Sequence, residues 1–331
     1  MSHIFDGLQK SESLRIGTDS SVPADATELL RHIERRAASI WEAAALVEPS
    51  SPLTGAGRFT PFGGRDGTLD APSVGAASAS ELSPANGYED IFGQFRHLQI
   101  SVAPQNRLIC VTDKESPAAE AFRLLGVRLR DLRRKRPLKK LLITSTIPQE
   151  GKSMVSANLA CNLALRVPEK TLLIDGDLRR PSLSQMFGIE TVPGLNECLQ
   201  GKRTLLDSIY HLEGAGTWIL PAGASPSNPL ELLQSGKLPH LMEQLAEWFE
   251  WIIIDSPPIL PLADSSVWMR SADGVLLVTR QGTTEKRQLQ RGLEAIEPKK
   301  LIGALLNSSS NPAHNSYYYY RKPAVSALNG S

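Results

Sequence analysis

The chain has few cysteines, almost no net charge and no long apolar run. Among its 331 residues are three cysteines, Cys110, Cys161 and Cys198, which are widely spaced and form no CxxC pair. Such a set predicts neither a disulfide framework nor a zinc site and is typical of a reducing cytoplasm. The formal net charge of +1 gives no global attraction to nucleic acid, so any electrostatic attraction must be local.

Membrane-directed segments are also lacking. No window approaches the roughly 18 apolar residues that a membrane span requires. A secretory signal has a basic region followed by a long apolar run. The opening, MSHIFDGLQK, has neither. We therefore expect a cytoplasmic protein that contacts a membrane only through a partner or a surface patch.

The first 90 residues predict a helix and a linker rather than a folded domain. Residues 25–47 bring an apolar side chain back every three or four positions, which predicts an amphipathic helix for packing or self-association. Residues 49–90 are rich in Pro, Gly, Ser and Ala, a composition typical of linkers. We assign residues 1–48 to an N-terminal helical segment and residues 49–90 to the linker.

From residue 91 onward the pattern indicates an α/β fold. HLQISV and RLICVT predict short strands, and residues 116–134 predict a helix with Ser116 as its cap and Pro117 in its first turn. Nearly continuous apolar segments such as KLLITST, TLLIDGD and WIIIDSP then alternate with helical stretches. This alternation favours a mostly parallel sheet covered by helices on both faces. We assign it to residues 91–311.

The first of these strands runs into a turn and a helix, where phosphates bind to converging backbone N–H groups. Gly151, Lys152 and Ser153 match the end of the GxxxxGK[ST] template, in which the lysine reaches the β/γ-phosphates and the hydroxyl reaches Mg²⁺. Thr146 replaces the first glycine of that template. The predicted nucleotide-binding residues are Thr146, Ile147, Pro148, Gln149, Glu150, Gly151, Lys152, Ser153 and Met154.

Two later strands end in carboxylates. LLIDGDLRRP carries Asp175 and Asp177, and WIIIDSPP carries Asp255. The carboxyl ends of strands are where open α/β sheets bind ligands, and an acid after an apolar strand can hold Mg²⁺. Three strands that each end in phosphate- or metal-directed chemistry predict a nucleotide-dependent site.

Four consecutive tyrosines, Tyr317 to Tyr320, stand near the end of the chain in NSYYYYRKP. Four consecutive residues cannot all face one core, so some of these rings must be exposed. The flanking residues have no helical or strand period. We therefore predict a flexible tail over residues 312–331.

These motifs occur in the order of a known family. SPAAEAFRLLGVRL, IPQEGKS, LLIDGDLRRP, LPAGASPSNPLELL, IIIDSPP, DGVLLVTRQGTTEKR and the tyrosine cluster together resemble the bacterial tyrosine kinases (BY-kinases) of exopolysaccharide and capsule export. The resemblance covers residues 116–320. Its most specific part is the DxDxR pattern of Asp175, Asp177 and Arg179, which ordinary P-loop ATPases lack.

The resemblance implies an ATP-dependent autokinase that phosphorylates its own tyrosine cluster, usually on a neighbouring subunit, and so regulates polysaccharide synthesis and export. Its cofactors would be ATP and Mg²⁺. The implied roles are these: Lys152 and Ser153 hold phosphate and Mg²⁺, Asp177 and Asp255 hold the metal, Asp175 accepts the tyrosine proton, Arg179 and Arg180 neutralise phosphate charge, Asn307 contacts adenine, and Tyr317, Tyr318, Tyr319 and Tyr320 accept phosphate. Asn307 is equally interpretable as a turn residue at a strand end.

The resemblance also implies partners and a location. They are a transmembrane polysaccharide co-polymerase whose cytosolic end completes the nucleotide site, other copies of the chain in a homo-oligomer, and a tyrosine phosphatase. The protein would lie at the inner face of the plasma membrane through the first of these partners. No nucleic-acid motif or aromatic interleaving accompanies its basic residues.

Two positions depart from the family pattern. Gln149 stands where glycine is usual, and glutamine resists the backbone angles and the close phosphate approach that glycine tolerates, so we expect reduced ATP affinity or turnover. The ExxRxxR pattern of the ring-forming helix is matched by Glu120 and Arg123, but its third position is Gly126. The pattern therefore does not predict ring assembly.

Nine basic residues lie between Arg123 and Lys140. A solvated helix face with a basic connector is the favoured interpretation, and subunit contact or attraction to anionic lipid are the alternatives.

Two other functions remain open at this point. One is a partition- or septum-type ATPase switch, although such proteins carry a lysine where this chain has Ile147. The other is a nucleotide-binding regulatory pseudo-kinase, suggested by Gln149. A dehydrogenase is disfavoured because no GxGxxG follows a strand.

Overall fold

The computed structural model describes residues 2–3, 91–166 and 169–307. The expected helix over residues 25–47, the linker over residues 49–90 and the tail over residues 312–331 lie outside these ranges. The tyrosine cluster is therefore outside the described part of the chain.

The described residues alternate strands with helices as the apolar pattern predicts. The strands are β1 Ser2–His3, β2 Arg96–Gln99, β3 Lys140–Ser145, β4 Thr171–Asp175, β5 Tyr210–Glu213, β6 Thr217–Leu220, β7 Trp251–Asp255, β8 Gly274–Arg280 and β9 Leu301–Asn307. The helices are α1 Ile109–Thr112, α2 Pro117–Lys135, α3 Lys152–Arg166, α4 Leu183–Phe187, α5 Leu195–Gln200, α6 Pro229–Leu233, α7 Lys237–Trp248, α8 Asp264–Ser271 and α9 Lys286–Glu294.

All of these strands form one sheet in the order β1-β9-β8-β3-β7-β4-β6-β5-β2. The six strands from β9 to β6 run parallel to one another. At the two margins, β1 pairs antiparallel with β9, and β5 pairs antiparallel with β6. The predicted mostly parallel sheet is confirmed.

The central strands are apolar throughout because each is buried on both faces. In β7, Ile252 and Ile254 join one hydrophobic cluster and Ile253 joins the other. This split follows the period of two along a strand, which sends neighbouring side chains to opposite faces. Helices α2 and α3 cover one cluster, and α6, α7 and α8 cover the other, so the predicted three-layer arrangement is confirmed.

Helix α2 begins as its sequence predicts. The hydroxyl of Ser116 accepts a hydrogen bond from the backbone N–H of Ala119 at 3.2 Å, and Pro117 occupies the first helical position. Further along, Glu120 and Arg123 form an ion pair with each other. A Cβ at Gly126 would lie 2.9 Å from Oδ1 of Asn162 in α3, so the glycine allows the two helices to pack closely.

The strand predicted from RLICVT is wrong, because the structure places helix α1 there. Asn158 of α3 explains the difference. Its Oδ1 accepts a hydrogen bond from the backbone of Cys110 at 3.0 Å, and its Nδ2 donates to the carbonyl of Arg107 at 2.9 Å. These bonds take up backbone groups that a strand would use in a ladder, and Leu108 is buried among the side chains of that layer.

Several residues of the basic run are bound within the fold. Nε of Arg130 lies 2.9 Å from Oε2 of Glu169, and the Arg133 guanidinium lies 4.9 Å from the ring centroid of Trp251. Nζ of Lys139 donates to the carbonyl of Ala246 at 2.6 Å. These contacts hold Arg130, Arg133 and Lys139 within the fold, so this part of the basic run is less solvated than the expected solvated helix face. None of the helices in the described parts of the chain is both long and apolar enough to cross a bilayer.

Candidate active site

Three neighbouring strands deliver the chemistry-bearing residues to one edge of the sheet. The order β3-β7-β4 places the loop after β3 beside the ends of β7 and β4. Asp175 and Asp255 are the last residues of their strands and are paired in register. The backbone N–H of Gly176 also donates to the carbonyl of Asp255 at 2.8 Å, which locks the two strand ends together.

Lys152, at the start of α3, lies among these carboxylates. Its Nζ is 3.0 Å from Oδ2 of Asp177 and 3.7 Å from Oδ2 of Asp255. Burial alone would lower the pKa of Lys152, but the negative charges of Asp255 and Asp177 outweigh burial, and the net pKa is raised. The lysine is therefore a firmly charged ammonium.

The two in-register aspartates are fully buried and hold their protons more tightly than usual. Burial, followed by the charge of Asp255, raises the pKa of Asp175 to about 7. Burial also raises the pKa of Asp255, although Lys152 acts in the opposite direction. Asp175 is held in place by the backbone N–H groups of Ser182 and Leu183, which donate to its Oδ2 at 3.1 and 3.0 Å.

The loop after β3 is shaped by Glu150, whose carboxylate is fully buried. Oε2 of Glu150 accepts from the backbone of Ile147 at 2.7 Å, and Oε1 accepts from the backbone of Arg280 at 3.3 Å and from the Thr284 hydroxyl. Sequence reasoning included Glu150 in the loop but did not assign this role, because two of its partners, Arg280 and Thr284, lie 130 or more residues away.

Two residues of the loop have left-handed backbone angles. Gly151 has φ = 94° and Gln149 has φ = 66°. The amide Nδ2 of Asn307, at the end of β9, donates to the carbonyl of Glu150 at 2.9 Å, and a Cβ at Gly151 would lie 2.3 Å from that nitrogen. The observed contact of Asn307 is thus with the loop itself, and an adenine contact stays a prediction.

Thr146 stands where the template has glycine, and its side chain is accommodated by a glycine elsewhere. A Cβ at Gly292 of α9 would lie 2.8 Å from Oγ1 and 3.0 Å from Cγ2 of Thr146. Both residues are buried. The threonine therefore occupies space that a side chain at position 292 would need.

The loop after β4 carries two arginines with different surroundings. Arg179 forms a bidentate ion pair with Asp264, in which the Nε–Oδ2 distance is 2.7 Å and the Nη2–Oδ1 distance is 3.1 Å. The side chain of Arg180 is exposed, and its backbone N–H donates to Oδ1 of Asp177 at 3.1 Å. The sequence predicted Arg179 as a catalytic residue but gave no sign of Asp264, which lies 85 positions later.

The carboxylates at this edge fit a metal that is shared with phosphate. Oδ1 of Asp175 and Oδ2 of Asp255 are buried and accept no hydrogen bond within the described residues. Those residues include no group of three or more His, Cys, Asp and Glu side chains arranged to hold a metal alone. Mg²⁺ is usually bound by one or two carboxylates together with substrate phosphates, so this donor set suits Mg²⁺ carried on a nucleotide.

Comparisons with known proteins identify the class. No family model matches the chain. Tyrosine-protein kinase YwqD of Bacillus subtilis is 34% identical over 218 residues, which are 65% of this chain and 92% of that protein. Putative tyrosine-protein kinase CapB of Staphylococcus aureus is 34% identical over 213 residues, covering 63% and 93%.

Solved structures agree with the sequence matches. The kinase domain of the Escherichia coli tyrosine kinase ETK superposes with a TM-score of 0.59 at 27% identity, covering 70% of this chain and 98% of that one. The chimerical protein CapA2B2 gives a TM-score of 0.58 at 29% identity, covering 67% and 99%. The fold is that of a P-loop kinase domain. The chain belongs to the bacterial tyrosine kinase family.

The contact between Thr146 and Gly292 gives a first prediction. Gly292→Ala should destabilise the protein by about 1–3 kcal/mol, because the new methyl group meets a buried side chain in a close-packed site. Without that clash, alanine in a helix would be favoured over glycine. Urea unfolding measures the difference. In the Thr146→Gly background the same substitution should cost much less, and an equal loss in both backgrounds would contradict the packing explanation.

The left-handed angle of Gln149 gives a second prediction. Gln149→Gly should raise the free energy of unfolding by roughly 1 kcal/mol, because glycine carries no Cβ penalty at positive φ. ADP affinity, measured by calorimetry, should also rise as the loop becomes free to approach phosphate. Arg107, with φ = 53°, is the matched control, since Arg107→Gly should add similar stability and leave ADP affinity unchanged. A lower free energy of unfolding in Gln149→Gly would contradict the steric penalty that we assign to the Cβ of Gln149.

The raised pKa of Asp175 gives a third prediction. A carboxyl with a pKa of about 7 is protonated below that pH and cannot accept a proton, so kcat/KM for autophosphorylation should fall about tenfold per pH unit below about 7. After burial, the charge of Asp255 is the main cause of this raised pKa. The Asp255→Asn variant should react more slowly. The fall of its kcat/KM at acidic pH should begin at a lower pH than in the unmodified protein. A limb near pH 4 in the unmodified protein would contradict the assignment.

Proposed function

We propose that the protein is an ATP-dependent protein-tyrosine autokinase that phosphorylates its own C-terminal tyrosine cluster and so regulates exopolysaccharide or capsule synthesis and export. The observation that carries the proposal is the meeting of Lys152, Asp175, Asp177 and Asp255 at the ends of three adjacent strands. The tyrosine-protein kinases named among its relatives support the reaction class.

The triphosphate would bind where the loop after β3 meets the first turn of α3. Residues 146–154 provide backbone N–H groups and a helix amino terminus, both of which favour anions. The ammonium of Lys152 now contacts Asp177. Binding of the β/γ-phosphates would draw the lysine away from that carboxylate, because a phosphate carries more negative charge.

Ser153, Asp177 and Asp255 would hold Mg²⁺. When bound, the ion would neutralise charge on the phosphates. Departure of the Lys152 ammonium would leave the Asp177 carboxylate free to accept a cation in its place. Asn307, which donates to the loop at Glu150, would stand beside the nucleotide, and an adenine contact there is part of this proposal.

The chemical step would begin with Asp175 accepting the proton of a tyrosine hydroxyl. The phenol oxygen then forms a bond to the γ-phosphorus while the bond from that phosphorus to the β,γ-bridging oxygen breaks. ADP and phosphotyrosine are the products. A phenol of pKa about 10 benefits from a base whose pKa lies near the working pH, as that of Asp175 does.

The phosphate acceptors would be Tyr317, Tyr318, Tyr319 and Tyr320, presented by a neighbouring subunit of a homo-oligomer. A transmembrane polysaccharide co-polymerase would supply the activating segment and a place at the inner face of the plasma membrane, and a tyrosine phosphatase would reverse the modification. The resemblance to the family is what suggests these partners.

The proposal is tested by incubating the full chain with Mg²⁺ and ATP, with and without a candidate membrane partner, and mapping phosphotyrosine by mass spectrometry. We expect phosphate on residues 317–320, and a loss of at least about 100-fold in Lys152→Met and in Asp175→Asn. Lys140→Met is the matched control, because Lys140 begins β3, at the end of that strand far from the nucleotide-binding loop, and pairs with Asp273 at 3.5 Å.

Other outcomes would favour other functions. ATP hydrolysis that survives deletion of the tail, without tyrosine labelling under any condition, would favour the partition- or septum-type switch. Failure to bind Mg²⁺-ATP in calorimetry would favour a pseudo-kinase.

A further inference from the structure

Helix α8 holds the loop that carries Asp177. We call residues 176–182, between β4 and α4, the aspartate loop. Two side chains of α8, Asp264 and Trp268, contact this loop on either side of Asp177. Because they are four residues apart, they lie on the same face of the helix.

Trp268 fixes the first residue of the aspartate loop. Its indole Nε1 donates to the carbonyl of Gly176 at 3.0 Å, and its side chain is fully buried. A Cβ at Gly176 would lie 2.8 Å from Cε2 of the indole and 2.9 Å from the carbonyl oxygen of Asp255. Position 176 therefore has room only for glycine, and its backbone is held between α8 and β7.

Asp264 fixes the other side of the loop through Arg179. The carboxylate of Asp264 is 1% exposed, and its two oxygens receive the two prongs of the Arg179 guanidinium at 2.7 and 3.1 Å. Bidentate pairs of this kind are strong and directional. A buried carboxylate that lost this partner would be left unpaired, at a substantial cost.

The same helix is also tied to the strand that ends in Asp255. The hydroxyl of Ser265 donates to the carbonyl of Pro257 at 2.8 Å. The hydroxyl of Thr144, in β3, donates to that same carbonyl at 2.9 Å. One turn of α8 thus connects the aspartate loop with the segment after β7.

This connection opposes the electrostatic repulsion within the site. Asp175, Asp177 and Asp255 converge beside one ammonium, so the carboxylates repel each other. Metal and phosphate chemistry nevertheless requires their spacing to be kept within a fraction of an ångström. We propose that Asp264 and Trp268 are positioning residues for phosphoryl transfer, which act by fixing the aspartate loop against the end of β7. This inference rests on the proposed kinase function.

The test compares Asp264→Asn and Trp268→Phe with two matched controls. Asp273→Asn alters a partly buried carboxylate that accepts from the backbone of Lys139 and Lys140 at 2.9 and 2.8 Å. Trp251→Phe removes a buried indole N–H that donates to Glu169 at 3.1 Å. Both control residues lie at the amino-terminal ends of strands: Trp251 begins β7, and Asp273 directly precedes β8. The candidate site lies at the carboxyl ends. The measurements are kcat at saturating ATP, ADP affinity with and without Mg²⁺, and the melting temperature.

We expect kcat to fall about 10–100-fold in the two α8 variants and the gain in ADP affinity from Mg²⁺ to shrink about tenfold, as for other residues that orient metal ligands. ADP affinity without Mg²⁺ should be unchanged, because the loop after β3 is untouched. The controls should alter melting temperature alone. If the α8 variants change only the melting temperature, as the controls do, the helix is structural and the proposal is overturned.

Arg179 separates positioning from direct action on phosphate. If it acts through Asp264, Arg179→Gln should cause the same loss as Asp264→Asn, and the double variant should be no worse than either. If Arg179 touches the phosphate itself, its loss should exceed that of Asp264→Asn and persist in that background, which would overturn the assignment.

The Mg²⁺ dependence of ADP binding separates this inference from the proposed function. Absence of phosphotyrosine in the unmodified protein would sink the kinase proposal, yet the Mg²⁺ effect would still report whether α8 positions Asp177. Conversely, normal phosphorylation and normal Mg²⁺ dependence in both α8 variants would sink the positioning role alone.

Discussion

The contact of Lys152 with Asp177 and Asp255 is the interaction on which the site depends. Three carboxylates converge at the edge of the sheet, and two of them are fully buried. The single ammonium does not balance three carboxylates. Burial, and after it the charge of the neighbouring carboxylates, raises the pKa values of Asp175 and Asp255. A buried cluster with this deficit of positive charge favours the arrival of a divalent cation. The charge pattern itself thus explains why the site suits Mg²⁺ and phosphate together.

The scaffold keeps this unfavourable cluster together by placing each charge on a rigid element. Asp175 and Asp255 end neighbouring strands joined by the bond from Gly176 to Asp255. Lys152 begins a 15-residue helix, and Asp177 is flanked by the two contacts of α8. Repulsion between the carboxylates is therefore opposed by hydrogen bonds and packing rather than by neutralisation alone.

The predictable parts of this molecule are those set by neighbouring residues. The apolar strands, the Ser116 cap and the placement of Lys152, Asp175, Asp177 and Asp255 after strands all follow from local patterns. The unpredicted parts depend on distant partners. RLICVT is a helix because of Asn158, and Arg179 pairs with Asp264. Glu150 is bound by Arg280 and Thr284. The period and spacing of neighbouring residues contain no information about such distant pairs, so they could not be predicted from a single sequence.

Thr146, which departs from the loop template, and Gln149, which departs from the family pattern, differ from glycine in physically distinct ways. Thr146 has a larger side chain than the glycine of the template, and the lack of a side chain at Gly292 in α9 leaves room for it. Gln149 is a difference of backbone conformation, and a residue elsewhere cannot change the steric cost of its own Cβ at φ = 66°. The loop nevertheless keeps its course because the Glu150 carboxylate and the Asn307 amide bind its backbone. These two contacts, which come from side chains and not from glycines, contribute to the shape of the loop in addition to Gly151.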